Sequence, residues 1–320
     1  MAGGQGSSDV AAQAQMLANR VRKTFKRLRG GFEQRSIGAF RLYDRDIPEV
    51  RALVDWYEGH AVVAEYAREQ TAAGSWLEAM GTAVAEALCI PAAHVHLKQR
   101  RTRPEEGPRY ARLQEGGSRL AVREGPLRFW VDLDSHIDTG LFSDHRETRA
   151  RVRAEAAGKE FLNLFGYTGS FTCAAAHGGA AASVTVDTSR TYLGWARDNL
   201  ELNGIAGDRH ELVRADAREW LDRAAAGPRR FGLCLLDPPS FSTREGAQAF
   251  DVQRDHPALI AQTLRLMAPG GVLYFSTNHQ RFEPRLVGLP AAEVREITEE
   301  TIPIDFRNRT AHRCFRLVGR

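Results

Sequence analysis

The chain has 320 residues, 43% of them hydrophobic and 26% charged, which describes an ordinary globular protein of one large domain or two moderate ones. No apolar run is long enough to span a membrane and the first residues lack a signal-peptide core, so a cytoplasmic protein with no membrane partner is expected. A formal net charge of +4 suits a polyanionic partner, and the four cysteines (Cys89, Cys173, Cys234, Cys314) lie too far apart for metal ligation, as buried thiols of a reducing compartment would.

In chain order, residues 1–18 read as a disordered start, Gly-, Ser-, Ala- and Gln-rich over the first thirteen. Residues 19–31 form a basic amphipathic helix closed by Gly30 and Gly31, within a helix-and-linker segment reaching residue 38. Val21, Phe25 and Leu28 share one side, while Arg20, Arg22, Lys23, Lys26, Arg27 and Arg29 cover the rest. Two readings stay open for it, a solvated helix docked by three apolar residues or an arm that contacts phosphates. Residues 39–135 read as a small α+β domain, an RNA-contacting module or a spacer. It has short strands at 40–43, 61–66, 94–99, 119–123 and 127–132, a helix at 75–88, a hairpin turn at Glu124-Gly-Pro and a polar, mobile stretch at 100–109. Asp144 is expected to cap a helix over 147–157. His136 and His145 lack a third ligand at useful spacing, so no metal site is expected there; a loop closing over a ligand fits that stretch better.

From residue 136 to the end, strands alternate with helices, which implies a mostly parallel sheet. An apolar strand, 161–165, ends in the turn Gly166-Tyr167-Thr168-Gly169, and a small-residue helix follows over 170–176. A second strand, 183–186, then stops on Asp187. This is a nucleotide-binding unit: the glycines let backbone approach the ligand, the helix N-terminus favours electron-rich groups, and the acid takes a ribose diol. The acid lies about 20 residues past the turn, as such units require. Three spaced glycines are missing, which disfavours an NAD-linked dehydrogenase. A G-x-x-G turn suits a ligand without a pyrophosphate, of which S-adenosyl-L-methionine is the common one. Further helices read at 191–202, 217–226 and 252–267, with strands at 210–214, 231–236 and 272–275. Two β-rich runs at 294–302 and 312–318 form a final hairpin that places one antiparallel strand in the sheet. Crossover geometry then brings Phe165, Asp187, Asp216 and Asp237 to one edge.

Asp216, with Ala217 after it, is placed to accept from an adenine amino group. The most informative short motif is Asp237-Pro238-Pro239-Ser240-Phe241. Two prolines fix an extended backbone without donors. The carboxylate and carbonyls are thereby held outward to accept from the edge of a planar base, with Phe241 as a stacking face.

These stretches resemble the class I S-adenosylmethionine-dependent RNA methyltransferases. More closely, the chain is similar to the C-terminal, guanine-N7-methylating half of the bifunctional bacterial large-subunit ribosomal RNA enzymes. The likeness is carried by Asn19-Arg-Val-Arg-Lys, Tyr43-Asp-Arg-Asp, Asp138-Thr-Gly-Leu-Phe142 with Asp144-His-Arg, Phe161-Leu-Asn-Leu-Phe, Tyr167-Thr-Gly-Ser, Val186-Asp-Thr-Ser-Arg-Thr-Tyr-Leu193, Asp237-Pro-Pro-Ser-Phe241 and Phe250-Asp-Val-Gln-Arg-Asp-His256. The resemblance implies a Rossmann-like fold with a seven-stranded sheet over 136–320. It implies that Phe142, Arg146, Asn163, Phe165, Tyr167, Thr168, Gly169, Ser170, Asp187, Thr188, Ser189, Asp216, Ala217 and Asp237 contact the cofactor; Arg146, Arg254 and the basic helix are expected, from their charge, to supply contacts to RNA phosphate. Asp237, Pro238, Pro239 and Phe241 are the candidate catalytic set. The N2-methylating half of those enzymes has no counterpart here, so a stand-alone form with a separate N2-guanine methyltransferase partner is expected.

The proline-proline-serine motif also occurs in cytosine-C5 relatives, which place a nucleophilic Cys just after the fifth strand. Here that stretch reads Tyr274-Phe-Ser-Thr-Asn278. Guanine N7 carries a lone pair and no proton, so no general base is expected. Methylation at cytosine C5 or guanine N2, and a non-catalytic RNA-binding assembly factor, are the alternatives.

Overall fold

The computed structural model describes residues 3–66, 75–100, 119–205, 207–242 and 249–320, of which residues 3–8, 66 and 100 are described by their backbone alone. The polar stretch at 101–109 lies outside these residues. The chain divides into two compact units. The first holds Met1–Ser143 with Ile304–Arg307, and the second holds Asp144–Pro303 with Asn308–Arg320.

The first unit begins with a long helix, α1 (Gly3–Gln34). This corrects the expectation of an unstructured start and of a helix closed at Gly30-Gly31. Two glycines weaken a helix by about 1 kcal/mol each, but Phe32 lies beyond them, 3% exposed, its ring 4.8 Å from that of Phe40. Burial at Leu17, Val21, Leu28 and Phe32 carries the helix through. Strands β1 (Ala39–Asp44), β2 (Ala52–Tyr57) and β3 (His60–Tyr66) form a meander. Helix α2 (Ser75–Leu88) crosses to β4 (Val95–Arg100), which pairs parallel with β3. Strand β2 went unread because Trp56 and Tyr57 lead straight into the turn at Glu58-Gly59. A separate hairpin pairs β5 (Arg119–Glu124) with β6 (Leu127–Asp132).

The second unit carries α3 (Arg146–Glu155), β7 (Glu160–Leu164), α4 (Ser170–His177), β8 (Ala182–Asp187), α5 (Arg190–Leu202), β9 (His210–Arg214), α6 (Ala217–Ala224) and β10 (Phe231–Leu236). It continues with the short pair β11 (Phe241–Ser242) and β12 (Phe250–Asp251), α7 (Val252–Leu264), β13 (Met267–Thr277), β14 (Ala291–Glu296), α8 (Thr298–Thr301) and β15 (Arg313–Gly319). Seven strands form one sheet in the order β14-β15-β13-β10-β7-β8-β9. Only β15 runs against its neighbours. Leu162, Leu164, Val184, Val186, Cys234 and Leu236 sit in one layer of its core with Leu259 and Ile260 of α7. Residues Leu164, Val186, Leu236 and Phe275 lie in register, so β7, β8, β10 and β13 end at a common edge.

An added Cβ at Gly30 or Gly31 meets nothing within 4 Å. Gly30→Ala and Gly31→Ala should therefore each raise the unfolding free energy of the first unit by about 0.5–1 kcal/mol, read from urea midpoints.

Candidate active site

The turn after β7 is built from left-handed residues: Phe165 has φ 58°, Tyr167 φ 49° and Gly169 φ 71°. Two non-glycine residues in that region are strained by about 1–3 kcal/mol each and persist only where neighbours over-determine them. Here three neighbours do. The Gly166 N–H donates to the Val186 carbonyl at 3.0 Å, the Tyr167 N–H donates to Asp187 Oδ2 at 2.9 Å, and Asn199 Nδ2 donates to the Thr168 carbonyl at 2.8 Å. Gly166 and Gly169 are fixed by close approach: an added Cβ would fall 2.3 Å from Thr185 Cγ2 and 2.7 Å from Ala196 Cβ respectively. Ser170 then opens α4, whose N-terminal turn has no side-chain cap.

Beneath the turn, Asn163 is buried and donates to Thr172 Oγ1 at 2.9 Å. Thr172 in turn bonds Thr185, and the Asn163 Oδ1 has no partner among the described residues. The Asp187 carboxylate also accepts from the Ser189 N–H at 2.8 Å. Burial pushes its pKa up, against the backbone donors of Ser189, Tyr167 and Thr188 that lower it. Ser189 caps α5 through its hydroxyl, and Thr188 is exposed. Asp216 lies just past β9 and spends Oδ1 on capping α6, at 2.9 Å from the Arg218 N–H and 3.3 Å from that of Glu219. Ala217 starts the helix, buried.

Asp237 follows β10 directly. One oxygen accepts from the Ser276 hydroxyl and the other lies 3.5 Å from His145 Nε2. After buried Pro238 and half-buried Pro239, the β11–β12 pair and the Val252 N–H to Ser240 carbonyl bond (3.1 Å) pin the segment to the start of α7. Phe241 is 49% exposed. Phe165 sits with its ring centroid 6.1 Å from that of Phe250, and Tyr167 with its ring 4.4 Å from Tyr192.

Other expected site residues lie elsewhere. Arg146 opens α3 and is buried, and Phe142, 40% exposed, belongs to the first unit. The N-cap position of α3 is His145, one residue past Asp144, and the His145 side chain makes no cap. The Asp144 Oδ2 lies 3.0 Å from His312 Nδ1. Arg254 donates to both oxygens of Asp255. Arg20 pairs with Asp46 at 3.2 Å and Arg22 donates to Asn19, whereas Lys23, Lys26 and Arg27 point outward from α1, exposed. Ser276, Asn199, Thr172 and His312 escaped the sequence reading, for nothing local in the chain marks them.

Residues 39–307 match the family described as S-adenosylmethionine-dependent methyltransferase. The chain belongs to this methyltransferase family. It is 42% identical over 305 residues to the Neisseria meningitidis protein named ribosomal RNA large subunit methyltransferase K, covering 94% of this chain and 86% of that one. It is 46% identical over 312 residues to the Allochromatium vinosum protein named ribosomal RNA large subunit methyltransferase K/L, of which it spans 42%. The chain thus spans less than half the length of the K/L relatives it matches. A solved structure of a protein in complex with S-adenosylhomocysteine superposes with a TM-score of 0.75 at 21% identity, over 94% of this chain and 81% of that one. That likeness shows the methyltransferase fold.

The donor set at this rim fits an adenosyl ligand. The Asp187 carboxylate, which takes the N–H groups of Tyr167, Thr188 and Ser189, would still have a lone pair for a ribose hydroxyl, and the buried Asn163 Oδ1, without a partner among the described residues, is a further acceptor beneath the turn.

Asp187→Ala removes the acceptor that fixes Tyr167, so S-adenosylmethionine affinity should fall at least about tenfold by calorimetry. The pH dependence of stability follows from His145, His210 and His256, whose pKa values burial lowers in the folded chain. Unfolded histidine takes its proton near pH 6.5, so below that the unfolded chain binds more protons. Stability is full above about pH 6.5 and is lost as pH falls below it, read as a falling urea midpoint between pH 7.5 and 5.5.

Proposed function

We propose that this methyltransferase modifies N7 of a guanine in large-subunit ribosomal RNA. The observation that carries the reading is the state of its thiols. Cys173, Cys234 and Cys314 of the catalytic unit are fully buried, and burial pushes each thiol pKa up, that of Cys173 to about 12. None supplies the thiolate that attack on cytosine C6 requires. The site offers instead acceptors and an aromatic face, which suit a purine whose nucleophile is a lone pair. The names of the relatives, ribosomal RNA large subunit methyltransferase K and K/L, supply the substrate class.

When bound, S-adenosylmethionine supplies a sulfur-held methyl open to in-line displacement by a lone pair. Asp187, the 165–170 turn and Asp216 would hold it. The remaining task of the protein is to place N7 and exclude water, and proximity and orientation alone are worth on the order of 7–11 kcal/mol. Asp237 accepts from the guanine N1/N2 edge and Phe241 stacks on the ring. N7 faces the deep, narrow major groove of A-form RNA, so the target guanine is unpaired or flipped out. Lys23, Lys26 and Arg27 contact RNA phosphates.

Asp237→Ala should lower methylation of ribosomal RNA from cells lacking the gene by at least about 1,000-fold, with S-adenosylmethionine binding retained. Nucleoside analysis of the wild-type product should give 7-methylguanosine. A product methylated at cytosine C5 or guanine N2 would refute the assignment.

A further inference from the structure

The stretch Asp144-His-Arg146 stands out in the sequence, and the mechanism above leaves its histidine without a task. In the catalytic unit His145 and His312 stack, ring centroids 4.2 Å apart at an interplanar angle of 12°. His312 is anchored at both nitrogens, Nδ1 lying 3.0 Å from Asp144 Oδ2 and Nε2 3.1 Å from the Thr301 hydroxyl. The His145 Nε2 faces two carboxylates, 3.5 Å from Asp237 Oδ2 and 3.8 Å from Asp144 Oδ2. Its Nδ1 is buried and has no partner among the described residues.

Donor atoms of Asp144, His145 and His312 lie within 4.8 Å of one another, which raises a metal site as a reading. The stacking speaks against it. An imidazole lone pair lies in its ring plane, and two nearly parallel rings one above the other cannot both aim at an ion about 2.0–2.1 Å from each nitrogen. A neutral imidazole carries one N–H. On Nδ1 that hydrogen would be a buried donor without an acceptor, whereas on Nε2 it meets carboxylate. Burial first, then His312 and Arg149, hold the His145 pKa below its ordinary value, while Asp144 and Asp237 pull it up. His145 is thus a neutral donor. Its 3.5 Å reach to Asp237 is long, as catalytic hydrogen bonds commonly are before substrate closes the site.

The geometry assigns His145 as a positioning residue for Asp237. Its neutral Nε2–H steadies one carboxylate oxygen while the Ser276 hydroxyl holds the other, which fixes the plane of the carboxylate without cancelling its charge. The remaining lone pairs are then aimed at the amino and imino donors of the target base. The assignment rests on the reading of Asp237 as the residue that holds that base.

The test compares His145→Leu, His145→Gln, Asp237→Asn and the His145→Leu/Asp237→Asn double variant in single-turnover methylation of ribosomal RNA, with calorimetric S-adenosylmethionine binding alongside. His145→Leu should slow turnover on the order of 100-fold, with the cofactor Kd unchanged within about threefold. His145→Gln, whose amide N–H replaces Nε2–H, should recover all but about tenfold of the loss, and the double variant should be no slower than Asp237→Asn alone. The assignment is overturned if His145→Leu keeps the wild-type rate, if Gln fails to rescue, if both His145 variants lose cofactor binding, or if the two losses multiply. Wild-type turnover in Asp237→Asn would instead sink the base-holding role of Asp237, a result read before any His145 variant is considered.

Discussion

The second unit depends on one carboxylate, that of Asp187. Its two oxygens take the N–H of Tyr167 and that of Ser189, joining the turn after β7 to the start of α5. That bridge acts with the Gly166 and Asn199 hydrogen bonds to hold Phe165 and Tyr167 at positive φ, since the intrinsic preference of both lies elsewhere. The same bridge exacts a cost. The group is buried enough for its pKa to rise, so its charged form is only partly compensated by backbone donors. A ligand that brings a hydroxyl to a remaining lone pair would complete the compensation. In the proposed cofactor site, fold and binding would thus be one device, in which an adenosyl group meets the demand that the buried acid leaves open.

Asp237 works by a different constraint. It leaves the sheet on two prolines, which cannot fold back to donate to it, and its neighbours are side chains of later elements. Ser276 on β13 and His145 before α3 reach it from either side. Asp216, by contrast, has one oxygen committed to the first turn of α6. Three acids at one sheet edge thus divide into a hinge for the turn, a helix cap and a carboxylate met by the side chains of Ser276 and His145.

Much of this was legible in the sequence because the signals are local. Short apolar runs alternating with helices, the glycine turn and the acid after β8 are local signals, and they placed the strands of the parallel sheet and the antiparallel β15. What escaped is what local chemistry contradicts or what distance hides. The glycines at 30 and 31 signal a helix end, and only tertiary burial of Phe32 overrides them. Asp144 carries the signature of a cap, yet α3 starts one residue later and His312 meets Asp144 from the far end of the chain. The pairing of Ser276 with Asp237 has no spacing rule, since β13 and β10 become neighbours only when the sheet forms.

The proposed chemistry gives this arrangement of charge a reason. Alkylation at N7 leaves a purine with a positive ring, so a site that holds the base through a carboxylate is attractive to the product-like charge throughout the reaction. A base-catalysed reaction would call instead for a group titrating near the working pH and able to take a proton away. The imidazole closest to Asp237 is of the opposite kind, buried, stacked on a second ring and kept neutral. A cationic histidine there would form an ion pair with Asp237 and cancel the field that the purine needs. Burying an imidazole whose Nδ1 has no partner among the described residues costs stability, and in the proposed role the return is a carboxylate held in place with its charge intact.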